Sequence, residues 1–202
     1  MLVAINTEHP EPRKIAQAAA ALRAGEIIAY PTDTTYAFGC DLRNKKAIDR
    51  LYEIKRAPKT HQFSFVCPDL SEIAKYAVVE NAQYRVLKHH LPGPYTFILE
   101  ATREVPKLLQ NKKKQVGLRV PDHPVIHALA AELGAPILST TAQIHGSDTP
   151  EVDPHEIAEK FPGVFLVLDG GAGGLIGTTI VDLSQIPGTI VREGAGPIDD
   201  LV

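Results

Sequence analysis

The sequence has few sulfur-containing residues and no long apolar run. Its 202 residues include two cysteines, one methionine and no tryptophan. Cys40 and Cys67 form no Cys-x-x-Cys pair, so buried free thiols are expected rather than a disulfide framework. No apolar stretch approaches the roughly 20 residues of a membrane span, and the first residues, MLVAINTEHPEPRK, lack the apolar core of a signal peptide. These absences favour a cytoplasmic protein that does not enter the membrane.

The composition is that of one globular unit. Hydrophobic residues make up 44% of the chain and charged residues 22%. A chain of this length forms one sizeable core and falls short of two full domains. We therefore expect a single domain over residues 1–202, without an internal repeat or a low-complexity linker.

Charge is distributed unevenly along the chain. Residues 1–120 carry 19 Lys and Arg against 12 Asp and Glu, a formal charge of +7, whereas residues 121–202 carry 2 against 12, a formal −10, which gives the overall −3. The basic residues occur in clusters, one of which is Lys112, Lys113 and Lys114. Such clusters suit a phosphate-binding surface, and they equally suit solvated loops and helix faces. The three lysines are thus a candidate RNA-binding segment.

Hydrophobic periodicity predicts alternating helices and strands. The predicted helices cover 10–24, 45–56, 70–76, 81–90, 124–133 and 154–160, with Asp122 expected to cap the fifth. The predicted strands cover 3–6, 26–30, 62–67, 95–101, 115–120, 136–140, 164–168, 179–183 and 189–192. This mixture predicts an α/β fold, with a mixed sheet and helices packed against it.

The segment 30–40, YPTDTTYAFGC, is the most distinctive part of the chain. It follows the apolar run 27–29 and offers the hydroxyls of Thr32, Thr34, Thr35 and Tyr36 beside the carboxylate of Asp33. Short donors and acceptors after a proline make a rigid shelf for a small polar ligand, although an ordinary turn with a local cap has the same residues. The shelf interpretation depends on whether other segments supply matching groups.

Further polar segments follow other predicted strands and helices. They include KRAPK at 55–59, PGPYT at 92–96, GLRVPDHP at 117–124, STTAQIHG at 139–146 and VREGAG at 191–196. Loops at strand ends are where α/β proteins build ligand sites. These loops bring three spaced cations, Lys55, Arg119 and Arg192, which suit a phosphorylated or doubly anionic ligand.

Two competing motifs are weaker. The segment 169–174, DGGAGG, has the glycines of a phosphate-binding loop but lacks the Gly-Lys-Ser/Thr ending, and a flexible connection between strands explains it better. His123 and His127 lie four residues apart with Pro124 between them and no HExxH pattern, which favours surface or capping histidines over a zinc site. The sequence therefore indicates no metal site.

The ordered set PTDTTYAFG, KRAP, PGPYT, LRVPDHP, STTAQxxG, TTIVD and VREGAG resembles the YrdC-like family of threonylcarbamoyl-AMP synthases. The resemblance covers residues 13–196, and HQFSFVCPDL at 61–70 together with STT at 139–141 is most similar to the YciO-like branch. It implies a twisted, mixed α/β sheet with a positively charged concave surface. It also implies a link to threonylcarbamoyl-adenosine modification of tRNA, and double-stranded RNA binding in some members.

The resemblance further implies a reaction of L-threonine, bicarbonate and ATP, with Mg²⁺ accompanying the ATP, to give threonylcarbamoyl-AMP and pyrophosphate. Lys55 and Arg119 would be catalytic. The threonine would be bound by Thr34, Arg119, Thr141 and Thr178. The nucleotide would be bound by Thr32, Lys55, Arg56, His61, Gln143 and Arg192.

Four positions depart from the synthase pattern. Ala57 stands where the synthases have the arginine of a Lys-x-Arg pair, His61 replaces an asparagine, Val66 a histidine, and Gln143 the asparagine of Ser-Ala-Asn. These changes fall in the nucleotide half of the expected site. A second hypothesis is therefore a YciO-like protein that binds double-stranded RNA or tRNA, with altered, weak or no synthase activity.

Overall fold

A ten-stranded mixed sheet forms the centre of the computed structural model, which describes residues 1–199 and 201. The helices are α1 Pro12–Arg23, α2 Lys45–Lys55, α3 Leu70–Tyr76, α4 Asn81–His90, α5 Pro124–Leu133 and α6 Pro154–Lys160. The strands are β1 Leu2–Ala4, β2 Ile28–Tyr30, β3 Ala37–Asp41, β4 Ser64–Val66, β5 Tyr95–Glu100, β6 Gln115–Arg119, β7 Ile137–Thr141, β8 Leu166–Asp169, β9 Thr179–Asp182 and β10 Thr189–Arg192. The predicted α/β fold with a mixed sheet is confirmed.

The sheet has the strand order β1-β8-β2-β3-β7-β4-β6-β5-β9-β10. Pairing is parallel between β1 and β8, β2 and β8, β4 and β6, and β5 and β9, and antiparallel at the other five junctions. One face packs against α2, α3, α4 and α6 through a large apolar cluster. The other face packs against α1 and α5 through a second cluster. Beyond α5, residues of this second face on β4, β5, β6, β7 and β9 line a cavity.

Helix α2 shows how local sequence places a functional group. The side chain of Asn44 accepts a hydrogen bond from the backbone N–H of Ala47 at 3.1 Å and so caps the helix start. Ile48 and Leu51 are buried against the sheet, which fixes the rotation of the helix. The helix ends at Arg56, whose φ of 53° is left-handed. Lys55, the last helical residue, is therefore directed inward.

The start of α5 differs from the expectation. Its N-cap is His123 rather than Asp122, and the cap residue makes no side-chain hydrogen bond. Pro124 occupies the first turn, and the backbone N–H of Asp122 donates instead to Asp33 Oδ2 at 3.0 Å. None of the helices described is long and apolar enough to cross a membrane.

Strand β3 lies largely within segment 30–40, where the residues predict a polar shelf or a turn and no strand beyond residue 30. The central glycine of the strand explains its composition: a Cβ on Gly39 would lie 2.7 Å from both Tyr30 Cε1 and Ile137 Cγ2. Glycine allows the Tyr30 ring to cross the strand and donate to Ser139 Oγ at 2.7 Å. Cys40 lies on this strand. Both cysteines are buried and free, as expected.

Candidate functional site

A cavity of about 290 Å³ lies on the part of the sheet beyond α5. Its floor is formed by small residues in register on adjacent strands, because Ser139 of β7 pairs with Ser64 of β4, which pairs with Gly117 of β6. Small side chains in these positions leave space above the strands. The polar and charged residues around this floor include Lys55, His61, Thr96, Asn111, Gln115, Thr141, Gln143, His145, Thr178 and Arg192. Six of these ten belong to the predicted site: Lys55, His61, Thr141, Gln143, Thr178 and Arg192.

Lys55 brings a buried cation to this cavity. Its side chain crosses to β7, where Nζ donates to the backbone carbonyls of Thr141 at 2.9 Å and Gln143 at 3.0 Å. The residue is only 4% exposed and makes no ion pair within the described residues. Burial, followed by the nearby charge of Arg192, lowers the pKa of Lys55 to about 8. The amine is thus held in place by carbonyls while its charge is left uncompensated.

Arg192 supplies a second cation from β10. One guanidinium nitrogen donates to the carbonyl oxygen of Thr178 at 2.9 Å, and burial lowers its pKa. The hydroxyl of Thr178 lies 2.9 Å from that of Thr96 on the neighbouring strand β5. Among the described residues that line the cavity there is no aspartate or glutamate. Two cations beside hydroxyl groups, without a carboxylate, favour an anionic ligand.

We expect this anion affinity to fall above pH about 8, because Lys55 loses its proton there, whereas an ordinary lysine keeps it to much higher pH. Below this pH the amine is charged and affinity should stay level. Above it, affinity for ADP should weaken by up to about tenfold for each pH unit. Titration calorimetry with ADP, whose phosphates are ionised throughout, measures this dependence. The Lys55→Met variant should show no such decline, and a wild-type affinity that is level up to pH about 10 would contradict the assignment.

His61 and His145 form an aromatic contact at the cavity wall, with ring centroids 5.1 Å apart. Burial, with smaller contributions from the charges of Lys55 and His145, lowers the pKa of His61 to about 4. His61 is therefore neutral at pH 7 and able to accept as well as donate. The backbone N–H of His145 donates to the carbonyl of Lys55 at 2.8 Å. His145 lies in the segment STTAQIHG, but sequence reasoning assigned it no role.

Three of the predicted shelf residues, Thr32, Asp33 and Thr34, form a largely buried cluster around Arg119. One of its terminal nitrogens donates to Asp33 Oδ1, to Thr34 Oγ1 at 2.8 Å and to Thr32 Oγ1 at 3.2 Å. Arg119 follows Gly117 by two residues on the same face of β6, which places the two residues about 7 Å apart. The cluster therefore adjoins the cavity floor, although its own side chains do not line the cavity. Thr34 and Arg119 lie together in this cluster, whereas Thr141 and Thr178 lie in the cavity itself.

Two buried polar atoms of the described residues lack a hydrogen-bond partner, Arg119 Nε and His123 Nδ1. Both belong to the segment that links the end of β6 to α5. Burial lowers the pKa of both side chains, and the charge of Asp33 opposes this effect in both. Unpaired polar atoms are rare in protein interiors and are frequent at functional sites. The unpaired Nε is thus a buried donor without an acceptor, in a residue that adjoins the cavity floor.

The glycine-rich segment 169–174 packs against the shelf. It connects β8 to β9, and the backbone N–H of Gly174 donates to the carbonyl of Thr34 at 2.8 Å. The hydroxyl of Tyr36 donates to the carbonyl of Gly171 at 2.8 Å. A Cβ on Gly174 would lie 2.1 Å from Thr34 O. The glycines allow this segment to lie directly on the backbone of the shelf.

We predict that Gly174→Ala destabilises the protein by about 1–3 kcal/mol, because the new methyl group overlaps a backbone atom that cannot move freely. Gly117→Ala is the matched control, since its Cβ meets Thr96 Cγ2 at 3.5 Å, an ordinary contact. Urea unfolding of both variants measures the difference. Equal stability of the two variants would show that the segment does not pack tightly on Thr34.

Four further predicted residues lie outside both the cavity and the Arg119 cluster. Arg56 is exposed and borders a different depression with Ile144 and Phe161, because the left-handed helix end turns its side chain away from Lys55. Its placement gives no support to nucleotide binding. Lys112, Lys113 and Lys114 are exposed in the turn before β6 and make no ion pairs among the described residues. Asn111 and Gln115, on either side of them, reach the far end of the cavity.

Comparison with known proteins agrees with this architecture. A family model for Sua5, YciO and YrdC proteins, described as "Telomere recombination", matches residues 20–194. The uncharacterized protein YciO of Escherichia coli is 43% identical over 196 residues, covering 96% of this chain and 95% of YciO. Its crystal structure matches 100% of this chain and 99% of that chain, with a TM-score of 0.96.

Synthases are more distant relatives. The threonylcarbamoyl-AMP synthase of Bos taurus is 33% identical over 186 residues, covering 88% of this chain and 66% of the synthase. The structure of Pyrococcus abyssi Sua5 complexed with L-threonine has a TM-score of 0.90 at 26% identity, covering 98% of this chain and 58% of that chain. The chain is thus homologous to these synthases and similar over its whole length to YciO. It belongs to the Sua5/YciO/YrdC family.

Proposed function

We propose that this protein is a nucleotidyltransferase of the threonylcarbamoyl-AMP synthase type, acting in the cytoplasm on L-threonine, bicarbonate and ATP. The observation that carries the proposal is the convergence of Lys55 and Arg192 on a cavity that no described carboxylate lines. A volume of about 290 Å³ suits a small ligand rather than a polymer. The anion preference of the cavity is the property that adenylate formation needs.

The reaction requires two anions to meet. The threonine amine attacks the carbon of carbon dioxide with loss of a proton, or that of bicarbonate with loss of water, to give a carbamate. A carbamate oxygen then attacks the α-phosphorus of ATP. The bond from that phosphorus to the bridging oxygen breaks, and pyrophosphate leaves. Fixed cations offset the repulsion only if they are already oriented before the charge develops. The two carbonyls that hold Lys55 and the Thr178 carbonyl that holds Arg192 provide this orientation.

The amino-acid part of the substrate is assigned to the side of the cavity floor next to Arg119, opposite Lys55 and Arg192. Arg119 would bind the threonine carboxylate, with Thr34 beside it, because a buried guanidinium with an unpaired Nε suits a carboxylate. Thr141 and Thr178 would orient the carbamate between this end and the phosphates. The bound threonine of the Pyrococcus abyssi Sua5 structure supports threonine as the amino acid.

Mg²⁺ enters the proposal as part of the Mg-ATP substrate. No group of three or more potential metal-binding side chains occurs among the residues that the structure describes. Magnesium commonly binds through substrate phosphates and keeps several waters. The phosphate oxygens would therefore carry the ion into the cavity.

Release of pyrophosphate from Mg-ATP tests the proposal. With L-threonine and bicarbonate present, a coupled phosphate assay should detect pyrophosphate, and omission of either substrate should abolish it. Mass spectrometry should identify threonylcarbamoyl-AMP as the product. Pyrophosphate that appears without threonine, or none under complete conditions, would reject the synthase assignment.

RNA binding is the second candidate, and the exposed lysines 112–114 are the observation that favours it. They lie between Asn111 and Gln115, which line the cavity, and they form no ion pair with a described acidic group. A double-stranded RNA or tRNA ligand should bind with affinity that falls steeply with salt. Substitution of all three lysines by glutamine should reduce the salt slope by about 3. Binding that is undetectable, or unaffected by salt, would reject this candidate.

A further inference from the structure

The Asp33 carboxylate is tied at both of its oxygens. Oδ1 accepts from a terminal nitrogen of Arg119, and Oδ2 accepts from the backbone N–H of Asp122 at 3.0 Å. The side chains of Asp33 and Arg119 are only 10% and 8% exposed. The carboxylate therefore links the shelf, the end of β6 and the turn that leads into α5.

This arrangement uses only part of the guanidinium. The nitrogen that contacts Asp33 also contacts the hydroxyls of Thr32 and Thr34, so three acceptors converge on it. Nε, on the same guanidinium, is buried and has no partner. A buried N–H without an acceptor costs free energy, which a ligand oxygen at this position would recover.

We propose that Asp33 is a positioning residue that fixes the guanidinium of Arg119 so that Nε is available to the carboxylate of the amino-acid substrate. This inference rests on the proposed function for the identity of that ligand. Asp33 itself does not touch substrate. It keeps the buried guanidinium in one orientation, and fixed donors bind a carboxylate with less loss of side-chain freedom.

The opposite role would make Asp33 a competitor that occupies Arg119 until substrate displaces it. The hydrogen bond from the backbone N–H of Asp122 to Asp33 Oδ2 argues against this role, because displacement of the Asp33 side chain would also break that bond. Thr32 and Thr34, on either side of Asp33, hold the same nitrogen. The two roles predict opposite effects on threonine affinity.

The Asp33→Asn variant distinguishes the positioning role from the competing role. The amide cannot accept at both former oxygens, so Arg119 loses a charged acceptor while the side-chain volume is kept. Asp41→Asn is the matched control, because Asp41 is also a buried carboxylate paired with an arginine, Arg43, outside the cavity. For the wild type and each variant, calorimetry measures the affinity for L-threonine and, in a separate titration, the affinity for ADP. NMR measures the rate at which the assigned Arg119 Nε–H exchanges with solvent.

For Asp33→Asn we expect threonine affinity to fall about 10- to 100-fold and exchange of the Arg119 Nε–H to accelerate at least about tenfold. ADP affinity should stay within about twofold, and Asp41→Asn should leave all three unchanged. Unchanged exchange, or threonine affinity that is equal or tighter, would overturn the positioning role. If the wild type binds no threonine while Asp33→Asn still accelerates exchange, the positioning of Arg119 is supported and the proposed function is contradicted.

Discussion

Replacement of Lys55 by methionine is expected to lower the rate of pyrophosphate release by about 100- to 1000-fold. Methionine keeps an unbranched side chain of similar length and removes the charge that faces the cavity. The loss should be larger than for an exposed lysine, because Lys55 is buried and makes no ion pair within the described residues. Steady-state kinetics with Mg-ATP, threonine and bicarbonate measures the effect.

Lys59→Met is the matched control for this change. Lys59 lies four residues further on, is exposed, and pairs with Asp49 at 2.5 Å. Exposed ion pairs contribute at most about 1 kcal/mol, so this variant should keep its activity within a few-fold. Circular dichroism should show both variants folded. A Lys55→Met protein with more than about a tenth of wild-type activity would remove Lys55 from the catalytic assignment.

Arg119→Met is expected to lower the free energy of unfolding by about 3–5 kcal/mol, because it leaves the Asp33 carboxylate buried without its cation. The hydroxyls of Thr32 and Thr34 lose the same donor. Urea denaturation of the purified protein measures this loss. Threonine binding should be lost as well, since the proposed contact to its carboxylate is removed.

The double variant Asp33→Asn/Arg119→Met should be more stable than Arg119→Met alone, because the unpaired charge is gone. A double-mutant cycle then gives the coupling between the two residues. Arg50→Met provides a comparison at an ion pair whose arginine and glutamate side chains are 42% and 31% exposed, where the loss should not exceed about 1 kcal/mol. Equal losses for Arg119→Met and Arg50→Met would contradict the assignment of Arg119 and Asp33 as a buried pair that the shelf depends on.

Helices and strands with clear periodicity were predictable from the sequence, and their ends shifted by only a few residues. Strand β3 was not, because its glycine and the hydroxyl-rich residues before it are typical of loops. Only the tertiary structure shows that Gly39 is needed by the crossing Tyr30 ring. Local sequence preference was overridden by a close approach of two strands.

The candidate site was predictable in composition and less so in arrangement. Lys55 ends α2, Thr141 ends β7, Thr178 precedes β9 and Arg192 ends β10, so the ends of four elements that are distant in the sequence meet at one cavity. Sequence alone could not show that Arg119 forms hydrogen bonds with Thr32, Asp33 and Thr34 beside the cavity instead of lining it. The role of Asp33 depends on a bond to the backbone of Asp122, 89 residues away along the chain.

The structure shows where three of the four residues that depart from the synthase pattern lie. Gln143 lines the cavity, but its side-chain nitrogen donates to the carbonyl of Ser147 in its own loop. His61 turns its ring toward His145. Val66 is fully buried in the core beneath α5. Two of these residues thus remain at the cavity wall, where their effect on the nucleotide can be measured.

The most direct test is a crystal structure of the protein with L-threonine and a non-hydrolysable ATP analogue. The account predicts phosphate oxygens within hydrogen-bond distance of Lys55 Nζ and the Arg192 guanidinium. It also predicts the threonine carboxylate at Arg119 Nε, with the Asp33 contacts retained. Phosphates bound away from Lys55 and Arg192, or a threonine carboxylate that does not contact Arg119, would contradict it.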